Sequence, residues 1–193
     1  MDNSDERFSP NPENRNVYWE IAFGLQVGYH YSPSKLLKNL SLKHINKEVE
    51  LQNIYSQIND YYFGKIGQDL LFRDSDFVTT RIVEYLENIE YGFQLSHQSI
   101  NSIHKIIYQD IDLPHQLRAG EYRNYNLRTE MSNKNEPPIH YEDYSDIYRT
   151  LHNQIDVELR KTILISQGLK QYHQLKILFL VFGLFTRFQW EIQ

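Results

Sequence analysis

The chain has 193 residues, 40% of them hydrophobic and 23% charged, with a net charge of −5, the make-up of a folded domain and not of a disordered tail. It has no cysteine, which excludes a disulfide framework, a thiol nucleophile and thiolate metal sites, and fits a reducing, cytoplasmic setting. Basic residues are dispersed and outnumbered, 20 against 25, so nucleic acid is not an expected partner.

In chain order, residues 1–15 carry two prolines and three asparagines and read as a disordered lead, too polar to be a secretory address. From Asn16 the pattern becomes helical. Trp19, Ala22, Phe23 and Val27 recur at helix spacing, with Asn16 as the expected cap and an end near Gly28. A second helix is expected from Ser32 as cap and Pro33 at its first position, burying Leu36, Leu37 and Leu40. Leu51, Ile54, Tyr55, Ile58 and Tyr62 make the stripe of a third. Residues 16–63 thus form an N-terminal helical segment, and 64–75 are expected as a linker with a flexible joint at Gly64–Gly67.

A second block, 76–193, opens with Val78, Ile82, Leu86 and Ile89 on one helix face. Ser96 can cap the next helix, whose Ile100, Ile103 and Ile107 point one way with His104 beside them and His97 two turns earlier. Gly120, the Pro137–Pro138 pair and the alternation in "EYRNYNL" then predict a loop leading to a short hairpin. Helix resumes with Tyr144, Ile147, Tyr148, Leu151 and Ile155. The fold class is mainly α with one small β excursion.

No chemistry stands out from spacing alone. The eight histidines lack the i, i+4 pair with an intervening Glu that a helical zinc site uses, so no metal site is expected; His104 reads as a half-buried packing residue and the others as surface. Phosphate-cradling glycine motifs and the G-x-S-x-G elbow are absent from the sequence. Its fifteen tyrosines fall mostly on helix stripes, as packing residues with wet hydroxyls. The one strongly apolar stretch, Ile177 to Phe185, is far short of the roughly 20 residues that span a bilayer, so no membrane partner is expected.

The stretch "INSIHKIIYQDIDLPHQLRAGEYRNYNL", Ile100 to Leu127, resembles the Fic/Doc (Fido) family, in which a helix with an "IH" core leads through a "Y..AG..R..N" loop into a β-hairpin called the flap. The matching residues are Ile103, His104, Tyr108, Ala119, Gly120, Arg123 and Asn126. "SDFVTTRIVEYLEN" is similar to the family's preceding helix, and residues 17–62 to the antitoxin-like helical segment some members carry, so the likeness covers about residues 17 to 155. It implies a Fic-type helical fold with a short flap, and transfer of AMP from ATP, with magnesium, onto hydroxyls of a target protein. The implied target-docking flap is Asn124, Tyr125, Asn126, Leu127, Arg128 and Thr129, which would pair with the target's backbone as an added strand.

The motif that carries the family's chemistry, H-P-F-x-x-G-N-x-R, is absent from the 193 residues. Its His would be the general base, its Gly and Asn would hold phosphates and metal at a helix N-terminus, and its Arg would clamp the phosphates. The apolar tail "FGLFTRFQWEIQ" stands where the motif is expected. Codons able to encode that tail, read two bases late, permit I-H-P-F-P-M-G-N-T, with the Gly forced by Trp190 and Glu191. The expectation is a Fic domain truncated at its C-terminus by a shifted frame, without transfer activity or bound Mg–ATP as it stands, and marginally stable. The alternative is an authentic partner-binding tail on a non-enzymatic interaction module or toxin–antitoxin relic. No clean copy of the family's inhibitory [ST]-x-x-x-E-[GN] helix stands out, so autoinhibition is not expected.

Overall fold

A computed structural model describes residues 12–27, 33–88, 96–113, 117–126 and 143–163. Their regular structure is helical: α1 (Arg15–Val27), α2 (Lys35–Ile45), α3 (Leu51–Tyr62), α4 (Gln68–Asn88), α5 (His97–Ile107) and α6 (Tyr144–Ile163). The mainly α class is thus what forms. Two compact units divide the chain, Met1–Phe93 and Gln94–Gln193.

In the first unit α1 and α3 pack on α4, and α2 lies against α1 and α3. The stripes that the spacing predicted fill the core: Trp19 and Ala22 from α1, Leu37 and Leu40 from α2, Ile54 and Ile58 from α3, and Val78, Ile82 and Leu86 from α4 are buried. Each large aliphatic of this set contributes roughly 1.5–3 kcal/mol by leaving water. Leu36 is only half-buried, and Ser41 and His44 complete the inner face of α2 instead. Ile89 and Gly28 lie outside the described residues, as does the expected lead up to residue 11.

Three local expectations need correcting. The first helix is not capped by Asn16: a 3-10 turn at Pro12–Asn14 runs directly into α1, which begins at Arg15. Arg15, placed by composition in the polar lead, is buried; its guanidinium donates to Glu87 Oε1 at 2.8 Å, Glu50 Oε2 at 2.9 Å and the His44 carbonyl at 3.1 Å. Secondly, α2 is capped by Ser34 and not Ser32. The Ser34 hydroxyl accepts the Leu37 N–H at 3.0 Å and donates to the buried Asp76 carboxylate at 2.6 Å, a tertiary bond that selects this serine. Thirdly, residues 68–75 of the expected linker are helical, because α4 starts at Gln68. Only the turn before it is irregular, with Gly64 and Gly67 at φ of 71° and 65°.

The C-terminus of α2 closes with a left-handed Lys47, φ 62°, and with Glu48 N–H to Lys43 O and Lys47 N–H to His44 O bonds, the Schellman arrangement. His44 is fully buried, contrary to the surface position expected for it. The Trp19 indole N–H donates to its Nδ1 at 3.0 Å, so the ring proton sits on Nε2, 3.7 Å from Glu87 Oε1. Burial, with the Arg15 charge beside it, lowers the His44 pKa from 6.5 to about 4. Asp76 is held by three donors, the Ser34 N–H and hydroxyl and the Tyr62 hydroxyl. Its carboxyl is nevertheless raised above the ordinary range, desolvation outweighing the bonds.

Candidate functional site

The segment that the family likeness singles out lies in the second unit, and it is built from α5 outward. Ser96 caps α5 through a reciprocal pair with Ser99, each side chain accepting the other's backbone N–H. Ile100, Ile103, His104 and Ile107 then form one buried face, and Tyr108 ends the helix. His104 is buried to 2% exposure, deeper than the half-buried place expected for it.

The loop after α5 is seated on that helix at Gly120. The Gly120 N–H donates to His104 Nδ1 at 2.8 Å, which requires that nitrogen to be unprotonated. A Cβ at Gly120 would meet Lys105 Cβ at 2.8 Å and the Asn101 carbonyl oxygen at 2.9 Å, and φ is +81°, so glycine is required twice over. A turn closed by the Glu121 N–H to Arg118 carbonyl bond brings the chain off the helix. Arg123, 9% exposed, then folds its guanidinium back on the Tyr125 carbonyl at 2.7 Å.

Asn126 ties the far end of the loop to α6. Its Nδ2 donates to Asp143 Oδ2 and its Oδ1 accepts the Tyr144 N–H, both at 2.8 Å. Asp143 in turn accepts the Ser145 N–H and hydroxyl, and these bonds hold its carboxyl below the ordinary range. Two orphan donors of the α6 N-terminus are met this way. Between its two anchors the loop curves around a cavity of about 480 Å³ lined by Leu117, Arg118 and Glu121 to Tyr125. Arg118 and Arg123 set two cations on it against one carboxylate, Glu121.

A stack of rings closes the side of the loop. The His97 ring, in the first turn of α5, lies on the Tyr148 ring at 3.9 Å between centroids and 10° between planes, with the His152 ring nearly parallel to it at 5.7 Å. His97 Nδ1 is 2.7 Å from the Tyr122 hydroxyl. Desolvation first, then the neighbouring His152, lower the His97 pKa, so the ring is neutral at physiological pH. Burial pushes the Tyr122 phenol well up, which keeps it protonated.

Of the six expected flap residues, Asn124 and Tyr125 line the cavity, while Asn126 faces α6 as a helix-end ligand. Asn124 and Tyr125 lie in a bend and Asn126 in irregular chain, and the described residues contain no strand. Leu127, Arg128 and Thr129, with the remainder of the expected hairpin and the apolar tail, lie outside the described residues. Spacing places Tyr148 only on the stripe of α6 and marks neither Tyr122 nor His152 for this clasp. The i, i+7 spacing of His97 and His104 places both on one face of α5 but carries no sign of the loop they meet.

No family model matches the chain, and neither a curated protein nor a solved structure does. The likeness to Fic proteins therefore rests on the residues quoted for it. Among the described residues no three His, Asp or Glu side chains converge to hold a metal ion. No helix among them is long and apolar enough to cross a membrane.

Proposed function

We propose that this chain is the body of a Fic-type nucleotidyl transferase, in which the loop after α5 docks an extended segment of a target protein without acting on it. The supporting observation is the pinning of the loop. Three of the residues that match the family's pattern have a placing role: Gly120 seats the loop on α5, Arg123 clasps its own backbone and Asn126 ties it to α6. A loop fixed at both ends loses little conformational freedom on binding, which favours a docking role. Its cavity carries two arginines and two tyrosines, residue types that anchor peptides well.

Docking is not transfer. The family's base, phosphate cradle and Arg clamp all belong to the H-P-F-x-x-G-N-x-R motif, which this sequence lacks. The reading is tested by incubating the protein with magnesium, ATP labelled at its α-phosphate, and a cell extract. The 193-residue chain transfers no label to protein above a heat-killed blank, whereas the chain with the shifted frame restored labels protein hydroxyls. Label transferred by the chain as it stands would refute its inactivity. A frame-restored chain that folds and binds ATP yet labels nothing would refute the transferase descent and leave a binding module.

A further inference from the structure

α5 presents His97 and His104 seven residues apart on one face, and each meets the loop through its Nδ1. We propose that the two imidazoles are a proton-operated latch, which holds residues 117–126 against α5 and α6 while both rings are neutral and releases them on acidification.

The stronger half is His104. Its Nδ1 accepts a backbone N–H, and a protonated imidazole has no acceptor there; it would aim a second donor at the first. Protonation therefore breaks the Gly120 bond by chemistry alone, whatever the ring's exact proton affinity. Gly120 also lies against the helix too closely for a Cβ, so loss of its bond unseats the turn. Among the groups facing His104 are the Gly120 N–H from the loop and the Tyr108 ring one turn on, 4.6 Å between centroids.

The second half is His97. Facing it are the Tyr122 hydroxyl from the loop and the Tyr148 and His152 rings from α6. Its Nε2 is buried and lacks a hydrogen-bond partner among the described residues, so an imidazolium there would leave a charged N–H unmet. His152 repels a charge on it, and its position in the first turn of α5 sets it at the positive end of the helix dipole. Each surrounding favours the neutral ring, and the release of α6 and Tyr122 is how the charged ring reaches water. Free imidazoles take up a proton near about 6.5, so the open loop gains protons as the pH falls through that region and the closed loop resists. The latch follows from the bonds to the loop and stands whether or not the loop docks a peptide.

The test is hydrogen exchange on the full chain at pH 7.5 and 5.5, corrected for intrinsic exchange rates. Protection in residues 117–126 is expected to fall several-fold at the lower pH while the Ile103 and Ile107 amides keep theirs. The double variant His97→Gln, His104→Asn retains hydrogen-bonding groups that do not titrate, so its loop protection is expected not to change with pH. Equal wild-type protection at both pH values would overturn the latch. So would loss of α5 protection in step with the loop, or the same pH response in the double variant. Should that variant not fold, titration of the wild-type His104 ring by NMR decides the matter: its protonation must coincide with the loop's opening, and opening without it refutes the proposal.

Discussion

Replacing Gly120 with alanine tests the seat of the loop. The new Cβ would stand 2.8 Å from Lys105 Cβ and 2.9 Å from the Asn101 carbonyl oxygen, and both are atoms on or next to the α5 backbone that no rotamer change can move aside. The left-handed backbone, φ +81°, costs an alanine roughly 1–2 kcal/mol. Relieving the clash draws the loop off the helix and with it the 2.8 Å bond to His104, worth about 1 kcal/mol more. Together these come to about 2–3 kcal/mol. Gly64 is the internal control: its φ is +71°, yet nothing lies within 4 Å of its Cβ position, so Gly64→Ala carries only the backbone cost of roughly 1–2 kcal/mol. Native-state hydrogen exchange separates the two compact units, read at Ile103 and Ile107 for the first variant and at Ile54 and Ile58 for the second. A Gly120→Ala cost no larger than that of Gly64→Ala would mean that the loop does not press on α5 as described.

Other expectations concern the first unit. Because the unfolded chain protonates His44 near 6.5 and the folded chain only near about 4, unfolding takes up a proton between those values; stability is full above about pH 6.5 and declines as pH falls, by roughly 3 kcal/mol once below 4. Urea titrations at pH 7.5, 5.5 and 4.5 should show this decline, and His44→Gln should flatten it. Arg15→Met leaves the Glu87 carboxylate, 12% exposed at its side chain, without its cation, and should cost about 3–5 kcal/mol by urea unfolding. An effect below about 1 kcal/mol would place the ion pair in water. Ser34→Ala removes both the α2 cap and the 2.6 Å bond to buried Asp76, with an expected loss of about 2–3 kcal/mol, whereas Ser34→Asn, which keeps the cap alone, recovers about 1 kcal/mol of it.

Helix stripes were legible in the sequence because burial repeats with the helix period: Ile54 and Ile58, Val78, Ile82 and Leu86, and Ile100, Ile103 and Ile107 all pack as their spacing requires. The Ser96 cap of α5 was legible for the same local reason. Errors arose where a distant partner decides. Ser32 and Ser34 are equally good caps by sequence, and Asp76, 42 residues beyond Ser34, makes the choice. Arg15 reads as one more polar residue of the lead until Glu50 and Glu87 converge on it from 35 and 72 residues away. His44 is buried because a Trp19 indole needs an acceptor, a relation with no periodic signature. Residues 68–75 read as a linker because they bury little: Ser75 alone of the eight is buried, although all are helical in α4. At the candidate site, the clasp of His97 on Tyr122, Tyr148 and His152 joins three segments whose meeting no spacing encodes.

The nucleotide sequence of the gene, read from the codon of Arg149 through the stop and on for a few hundred bases, tests the Fic-type reading most directly. If the chain is Fic-type, the frame two bases late spells H-P-F-x-x-G-N-x-R across the codons of Phe185 to Gln193 and just beyond, and continues into a further amphipathic helix. A shifted frame that stops early, or that reads through without the G-N and the Arg, would contradict it.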